Sequence, residues 1–377
     1  MDILMIGGSG IISSEICNLA IEHGDSVSIF NRGRRKEEIN SKANLIIGDM
    51  RNESVQSITD KIMSSYDVVM DFISYTPEQL RKTIDIFSSR CKQFVFVSSA
   101  TVYSSDAPLP FKEDSKLENT KWKYAQDKVD CENFLASSEL SCEYTIIRPY
   151  VTYGRTRIPL QIAPLEYYTI INRIKCHKPI IISGEHVECT LTNSKDFAIG
   201  AYGLLLNEKA YGEAFHITGD YRTTWKEVVL CLAEKINEDV EFINIPMQYL
   251  QVHKKYCGFD VSEILGDKGR NMIFDNSKIK RVVPAFSNFR RLEEALDDSL
   301  KYFEKKSHQR VNYKWDAEVD CFIANYIKRK GIIIDPIMLS ELSYGETIND
   351  KDKKMYLEYR FPVNRMIGKV KRKICRG

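Results

Sequence analysis

The sequence predicts an α/β protein built on a doubly wound parallel sheet, with a smaller interleaved part and a C-terminal extension. Three observations predict it. Short apolar runs alternate with helix-period segments through the first 150 residues. A glycine-rich turn follows the first apolar run. After Arg148 the rhythm breaks into Tyr- and Pro-rich stretches.

Along the chain, residues 3–6 predict a strand, and 12–23 a helix with Ile12, Ile16, Leu19 and Ala20 on one face. Further strands are predicted at 26–30, 43–47, 68–73, 93–97 and 144–148. Residues 78–90 and 121–137 carry helical patterns between them. The expected organisation is a dinucleotide-binding domain over 1–150, returning at about 186–218. A substrate-binding part takes 151–185 and 219–300, and a helical extension takes 301–377.

Bulk composition narrows the function classes. In 377 residues, 43% are hydrophobic, enough for a sizeable core. Lys and Arg number 54 against 52 Asp and Glu, so the net charge of +2 makes no whole-protein case for nucleic acid. Ten cysteines form no CxxC pair and no zinc-type spacing, and read as reduced core thiols of a cytoplasmic protein. With a strand starting at Asp2, no room is left for a signal peptide, and no apolar run is long enough to span a bilayer. The dispersed histidines read as structural, so no metal is expected. From Arg360 to Gly377 there are seven basic residues and no acidic one, with Met366, Ile367, Val370 and Ile374 near one helical face. Such an end either rests on an anionic membrane or packs as an ordinary helix or tail.

Gly7-Gly8-Ser9-Gly10-Ile11-Ile12-Ser13 is the strongest local signal. Gly7 permits the tight turn, and Gly10 lets backbone approach a pyrophosphate. The N–H groups of the helix start at Ile11 and Ile12 then face that anion. Ser13 stands where a third glycine is usual, as a small residue compatible with close helix–strand packing. At the end of the second strand there is no carboxylate to bind a ribose hydroxyl. Asn31 and Arg32 lead into Gly33-Arg34-Arg35 instead. Guanidinium groups suit a 2′-phosphate, which favours NADP while leaving NAD open. Asp49, followed by Met50, closes the third strand where an adenine amino group would lie. Phe72-Ile73-Ser74 closes the fourth, beneath the cofactor.

Val97-Ser98-Ser99-Ala100-Thr101-Val102-Tyr103 ends the fifth strand, and Tyr124-Ala125-Gln126-Asp127-Lys128 lies beyond it on a helix. Residues four apart share a helix face, so Tyr124 and Lys128 point the same way. A tyrosine is a poor base at neutral pH, since its ordinary pKa is about 10. A nearby ammonium favours the phenolate, which can take a proton from a sugar hydroxyl. Ser99 would hydrogen-bond the same oxygen. A Tyr-x3-Lys pair alone arises by chance; its order after a glycine turn, a Gly-Asp-x-Arg turn and a serine-rich strand end does not.

These segments resemble the extended short-chain dehydrogenase/reductases, the NAD-dependent epimerase/dehydratase family of Rossmann-fold enzymes. Phe94 to Tyr103 is similar to the serine segment of UDP-glucose/UDP-galactose 4-epimerases. Arg148-Pro149-Tyr150-Val151-Thr152-Tyr153-Gly154 is similar to the family's RPxxVYG segment. Residues 191–196 and 212–217 also look familial, so the resemblance covers roughly 1–300. It implies Ser99, Tyr124 and Lys128 as catalytic trio, with Gly7, Gly10, Arg32, Asp49, Tyr150 and Val151 on the cofactor side. It also implies Ser99, Thr101, Tyr153 and Arg155 on the substrate side. The implied substrate is a nucleotide sugar, in cell-surface polysaccharide or sugar-nucleotide metabolism, and a homodimer is compatible with it.

The chain departs from the pattern at Ser13, at Asn31 and at Val151, where family epimerases use an asparagine. The stretch from Phe72 to Ser99 is short and, with the Asn-Arg-Gly turn, is more like a subgroup that includes chloroplast stem-loop RNA-binding proteins. Hydride transfer at a sugar carbon fits an epimerase first and a reductase next. No Asp-Glu pair follows Ser99-Ala100-Thr101, which counts against a dehydratase. The alternative from another class is a non-catalytic RNA-binding or regulatory protein; the near-neutral net charge argues against RNA, while the basic end leaves room for it.

Overall fold

A computed structural model of the chain describes residues 1–287 and 289–361. The chain divides into two compact units. Unit 1 comprises Met1–Pro159, Cys189–Arg222 and Met272–Ala295, and unit 2 comprises Leu160–Glu188, Thr223–Asn271 and the chain from Leu296.

Unit 1 is built on seven parallel strands: β1 (Asp2–Ile6), β2 (Ser26–Asn31), β3 (Asn44–Ile47), β4 (Tyr66–Asp71), β5 (Cys91–Val97), β6 (Glu143–Pro149) and β7 (Glu213–Ile217). Their order is β7-β6-β5-β4-β1-β2-β3. The chain winds one way from β1 through β3 and the other way from β4, so the crevice between β1 and β4 is the switch point where such sheets hold ligands. Register places Ile6 beside Asp71 at that point.

Helices cover both faces: α1 (Ile11–Glu22), α2 (Val55–Lys61), α3 (Pro77–Phe87), α4 (Lys123–Ala136) and α5 (Ser194–Tyr202). β1 is apolar and buried from Ile3 to Ile6 because alternate side chains enter different cores. Ile3 and Met5 join Ile16, Ala20, Phe197 and Ala201 of α1 and α5. Leu4 and Ile6 join Leu80, Ile84, Cys131 and Leu135 of α3 and α4. Local chemistry sets the helix starts. Thr76 accepts from Gln79 N and Pro77 sits at the first turn of α3, while Asn193 accepts from Lys195 N at α5.

The predicted strands and helices form within a few residues of the expected bounds. α2 is not predicted, because seven residues show too little periodicity. β7 forms one edge of the sheet. The fold is thus the expected doubly wound α/β sheet with a C-terminal helical extension.

Unit 2 holds the helices Tyr168–Lys175, Trp225–Lys235, Tyr313–Lys330 and Asp350–Arg360, with Ile180–Ile182 paired in parallel to Phe242–Asn244. A fully buried charge cluster ties its early and late segments together. Arg173 and Lys178 each pair with both Asp316 and Asp320, directly or across the cluster: Arg173 Nη1 reaches a carboxylate oxygen of each, and so does Lys178 Nζ. Tyr344 donates to Asp316, and Tyr356 donates to Asp320. Met366, Ile367, Val370 and Ile374 of the basic end lie outside the described residues.

Candidate active site

The site lies within unit 1, at the carboxyl ends of β1, β4 and β5 and on the facing side of α4. At the end of β1, Gly7 has φ +102°, and a Cβ there would meet Ile73 Cγ2 at 2.3 Å. Only glycine therefore fits between the β1 and β4 turns. Gly7 N donates to Phe30 O and Phe72 N donates to Ile6 O, fastening both turns to the sheet. The first intrahelical bond of α1 runs from Ser14 N to Gly10 O at 3.0 Å. Its first turn, Ile11 to Ser13, carries no acidic residue and presents its N–H groups outward from the helix end. Ser13 has a use of its own. Its Oγ accepts from Gly10 N at 2.8 Å and returns a bond to Gly10 O at 3.2 Å, fixing the turn. This cradle, closed to any Cβ at Gly7 and with no acidic residue in the first turn of α1, fits the diphosphate of a dinucleotide.

At the neighbouring strand end, Asn31 Oδ1 accepts from Gly33 N at 2.7 Å, which shapes the turn and leaves Arg32 exposed. Asp49 accepts from Arg51 N and Asn52 Nδ2. Burial works against its charge, but those hydrogen bonds and nearby Arg32 more than offset it, so its pKa is lowered. Met50 is buried, and its carbonyl accepts from Lys82. Tyr150 and Val151 are buried just past β6, with the Tyr150 ring 5.3 Å from Phe274.

Lys128 is the best-defined member. Its side chain is 1% exposed, and Nζ donates to Ser74 O and Val97 O, both at 2.8 Å. One ammonium thus ties α4 to the ends of β4 and β5, with a third proton left over. Three rings surround it: Phe96 at 4.7 Å, Tyr75 at 5.1 Å and Tyr124 at 6.0 Å from Nζ to the ring centre. Burial pushes its pKa down to about 8, with the carboxylate of Asp71 pulling the other way. Tyr124 is half-buried against Trp122, ring centres 4.7 Å apart, and Tyr75, 6.0 Å apart.

Ser99 is buried, and its Oγ accepts from Thr101 Oγ1 at 2.9 Å and Thr101 N at 3.3 Å. Both bonds leave the Ser99 proton to be donated elsewhere. Thr101, expected on the substrate side, turns its hydroxyl to Ser99, and its carbonyl accepts from Asn119. Tyr153 is buried in the short pairing of Thr152–Tyr153 with Thr192–Asn193. Arg155 forms an ion pair with Glu38, on the side of the β2 turn.

Several residues that build the site are not singled out by the sequence. Asp71, fully buried, accepts from Ile73 N, Ser74 N and Ser74 Oγ and so shapes the turn whose carbonyl receives Lys128. Glu132 lies one helical turn beyond Lys128. It accepts from Ser98 Oγ at 2.5 Å and from Arg148 through Nε and Nη2. The Tyr124, Lys128, Glu132 spacing is the signal that could have found it. Tyr75, 39% exposed beside both Lys128 and Arg51, has none.

Residues 3–199, just over half of the chain, match the profile of the NAD dependent epimerase/dehydratase family. The chain belongs to this family. Members of the epimerase/dehydratase family are NAD-dependent enzymes, and the chain is similar to several. It is 28% identical over 178 residues to UDP-glucose 4-epimerase of Lactobacillus helveticus, covering 41% of this chain and 52% of that protein. It is 26% identical over 236 residues to the chloroplast stem-loop binding protein of 41 kDa b of Arabidopsis thaliana, covering 59% of this chain and 60% of that protein. The chain therefore spans about half to three-fifths of the length of these relatives. Among solved structures, epimerase Mth375 of Methanothermobacter thermautotrophicus superposes with a TM-score of 0.67 at 16% identity, over 81% of this chain and 93% of that one. UDP-glucuronic acid 4-epimerase of Bacillus cereus, in complex with NAD, gives 0.63 at 18% identity over 81% and 99%. At such identity the likeness is one of fold. Among the described residues, no group of His, Cys, Asp and Glu could hold a metal, and no helix is long and apolar enough to cross a membrane.

Proposed function

We propose that this epimerase/dehydratase-family chain works on a nucleotide-activated sugar, with epimerisation the favoured outcome, and that Ser99, Tyr124 and Lys128 are its catalytic set. The observation that carries the reading is the buried Lys128 ammonium, fastened to the β4 and β5 ends and 6.0 Å from the Tyr124 ring. In this reading the Tyr124 phenolate takes the proton of a sugar hydroxyl, and the Lys128 charge favours that phenolate. Ser99 donates its remaining proton to the same oxygen, held in line by the two bonds from Thr101. The Gly7–Ile12 cradle would hold the cofactor diphosphate, and exposed Arg32 the 2′-phosphate of NADP in preference to NAD. The nicotinamide, when bound, supplies the hydride acceptor and donor.

The test is turnover of a panel of nucleotide sugars by wild type and Tyr124→Phe, followed by mass and NMR, with cofactor binding measured in parallel. Loss of about 100-fold or more in kcat with cofactor binding retained is expected for a general base. Wild-type rates in Tyr124→Phe would overturn the assignment.

A second reading is a nucleic-acid-binding scaffold without turnover. The likeness to a stem-loop binding protein over 59% of the chain favours it. A salt-dependent RNA shift together with no turnover on any sugar would select this reading.

A further inference from the structure

The helix Tyr313–Lys330 ends in three exposed cations, Lys328, Arg329 and Lys330, and is closed by Gly331 at φ +66°. Ile332 N donates back to Ile327 O, so the chain turns sharply there. The segment Ile332-Ile333-Ile334-Asp335-Pro336-Ile337 then leaves the helix, and it is not packed away. Ile333 is 95% exposed, Ile332 42%, Ile337 51% and Leu342 62%. Scattered exposed apolar residues are ordinary; here four fall within eleven positions of the chain, one of them almost fully in water. A helix dipole explains cations in a last turn. It does not explain isoleucines beside them.

The end of the described chain lies at the same place. Arg360 Nε donates to Leu339 O at 2.8 Å, and the Arg360 guanidinium lies over Phe361, itself 45% exposed. Residues 362–377 continue from Phe361 with six basic side chains and no acidic one. Of the acidic groups nearby, Asp335 is engaged by the backbone, its Oδ1 accepting from Ile337 N, and Glu341 sits in the first turn of Glu341–Thr347. Exposed apolar side chains, cations next to them along the chain and a strongly cationic continuation fit one partner: an anionic lipid surface. The isoleucines would enter the boundary between headgroups and acyl chains, and the cations would meet the headgroups.

We propose that the surface formed by Lys328–Lys330, Ile332, Ile333, Ile337 and Phe361 docks this chain on anionic membranes. Full-length protein is sedimented with vesicles of phosphatidylcholine alone and of phosphatidylcholine mixed with phosphatidylglycerol. Binding to the anionic vesicles only, falling with added salt, is expected. The double variant Ile332→Ser/Ile333→Ser should lose about tenfold or more in vesicle partitioning, as forfeiting the insertion of two isoleucines requires. Because both side chains are exposed, its melting temperature should match wild type. Lys328→Glu/Arg329→Glu/Lys330→Glu should weaken binding as well. Wild type that stays in the supernatant, or a double serine variant that binds like wild type, overturns the proposal. So does a concentration-dependent dimer lost in the serine variant without any vesicle binding, which would assign the surface to a second copy.

Discussion

Replacing Glu113 by Gln isolates one buried carboxyl. Glu113 lies in the segment between β5 and α4, with its side chain 8% exposed and Oε1 buried without a hydrogen-bond partner. His216 Nε2, 3.6 Å from that oxygen, is already donating to Asp275 O. Nδ1 of the same ring meets the Tyr103 hydroxyl, which in turn accepts from Arg148 Nη1. That chain is satisfied by a neutral imidazole, and burial lowers the His216 pKa to about 4. Burial likewise raises Glu113 to about 7 from 4.5, with Lys278 and Arg148 opposing. Between those two values Glu113 is protonated in the folded protein where it is ionised in the unfolded chain. The unfolded state then binds fewer protons, so stability falls as pH rises from 4.5 through 7. A difference of about 2.5 pKa units corresponds to about 3 kcal/mol. Glu113→Gln removes the titration from both states. Its stability relative to wild type should therefore rise by about 3 kcal/mol between about pH 4.5 and about pH 8. Any constant effect of the amide cancels in that difference. His216 costs stability as pH falls below 6.5, but equally in both proteins. Urea unfolding of both across this range is the assay. Parallel stability curves would refute the claim that Glu113 is neutral in the fold.

Three other outcomes are expected. Glu132→Gln strands the buried Arg148 guanidinium and should cost about 3–5 kcal/mol, with Arg148→Met added on top costing less than the sum; additive costs in the cycle would mean that the pair is not coupled. Arg32→Ala should weaken NADP binding more than NAD binding in a titration, and equal effects would remove the 2′-phosphate assignment. Asp320→Asn leaves Arg173 and Lys178 facing one carboxylate and should cost about 3–5 kcal/mol of unit 2 stability by denaturant unfolding; an unchanged midpoint would show that the cluster is not needed.

What can be read in the sequence and what cannot divide along sequence distance. The strands of unit 1 are legible because a parallel strand buried on both faces is a short unbroken apolar run, as in Ile3-Leu4-Met5-Ile6. The turn at Gly7 is legible because a positive φ and a clash with Ile73 exclude other residues. Tyr124 and Lys128 are legible because helix geometry fixes which face they share. The bonds that position Lys128 are not, since its acceptors at Ser74 and Val97 lie 54 and 31 residues away. Arg173 and Asp316, 143 residues apart, carry no local mark of pairing, so the sequence alone sets residues 301–377 apart as a helical extension. The buried cluster alters that view. Two cations and two carboxylates taken fully out of water are tolerable only together, because either pair alone leaves uncompensated charge in the core. The cluster therefore joins Tyr168–Lys175 to Tyr313–Lys330 within the folded unit 2.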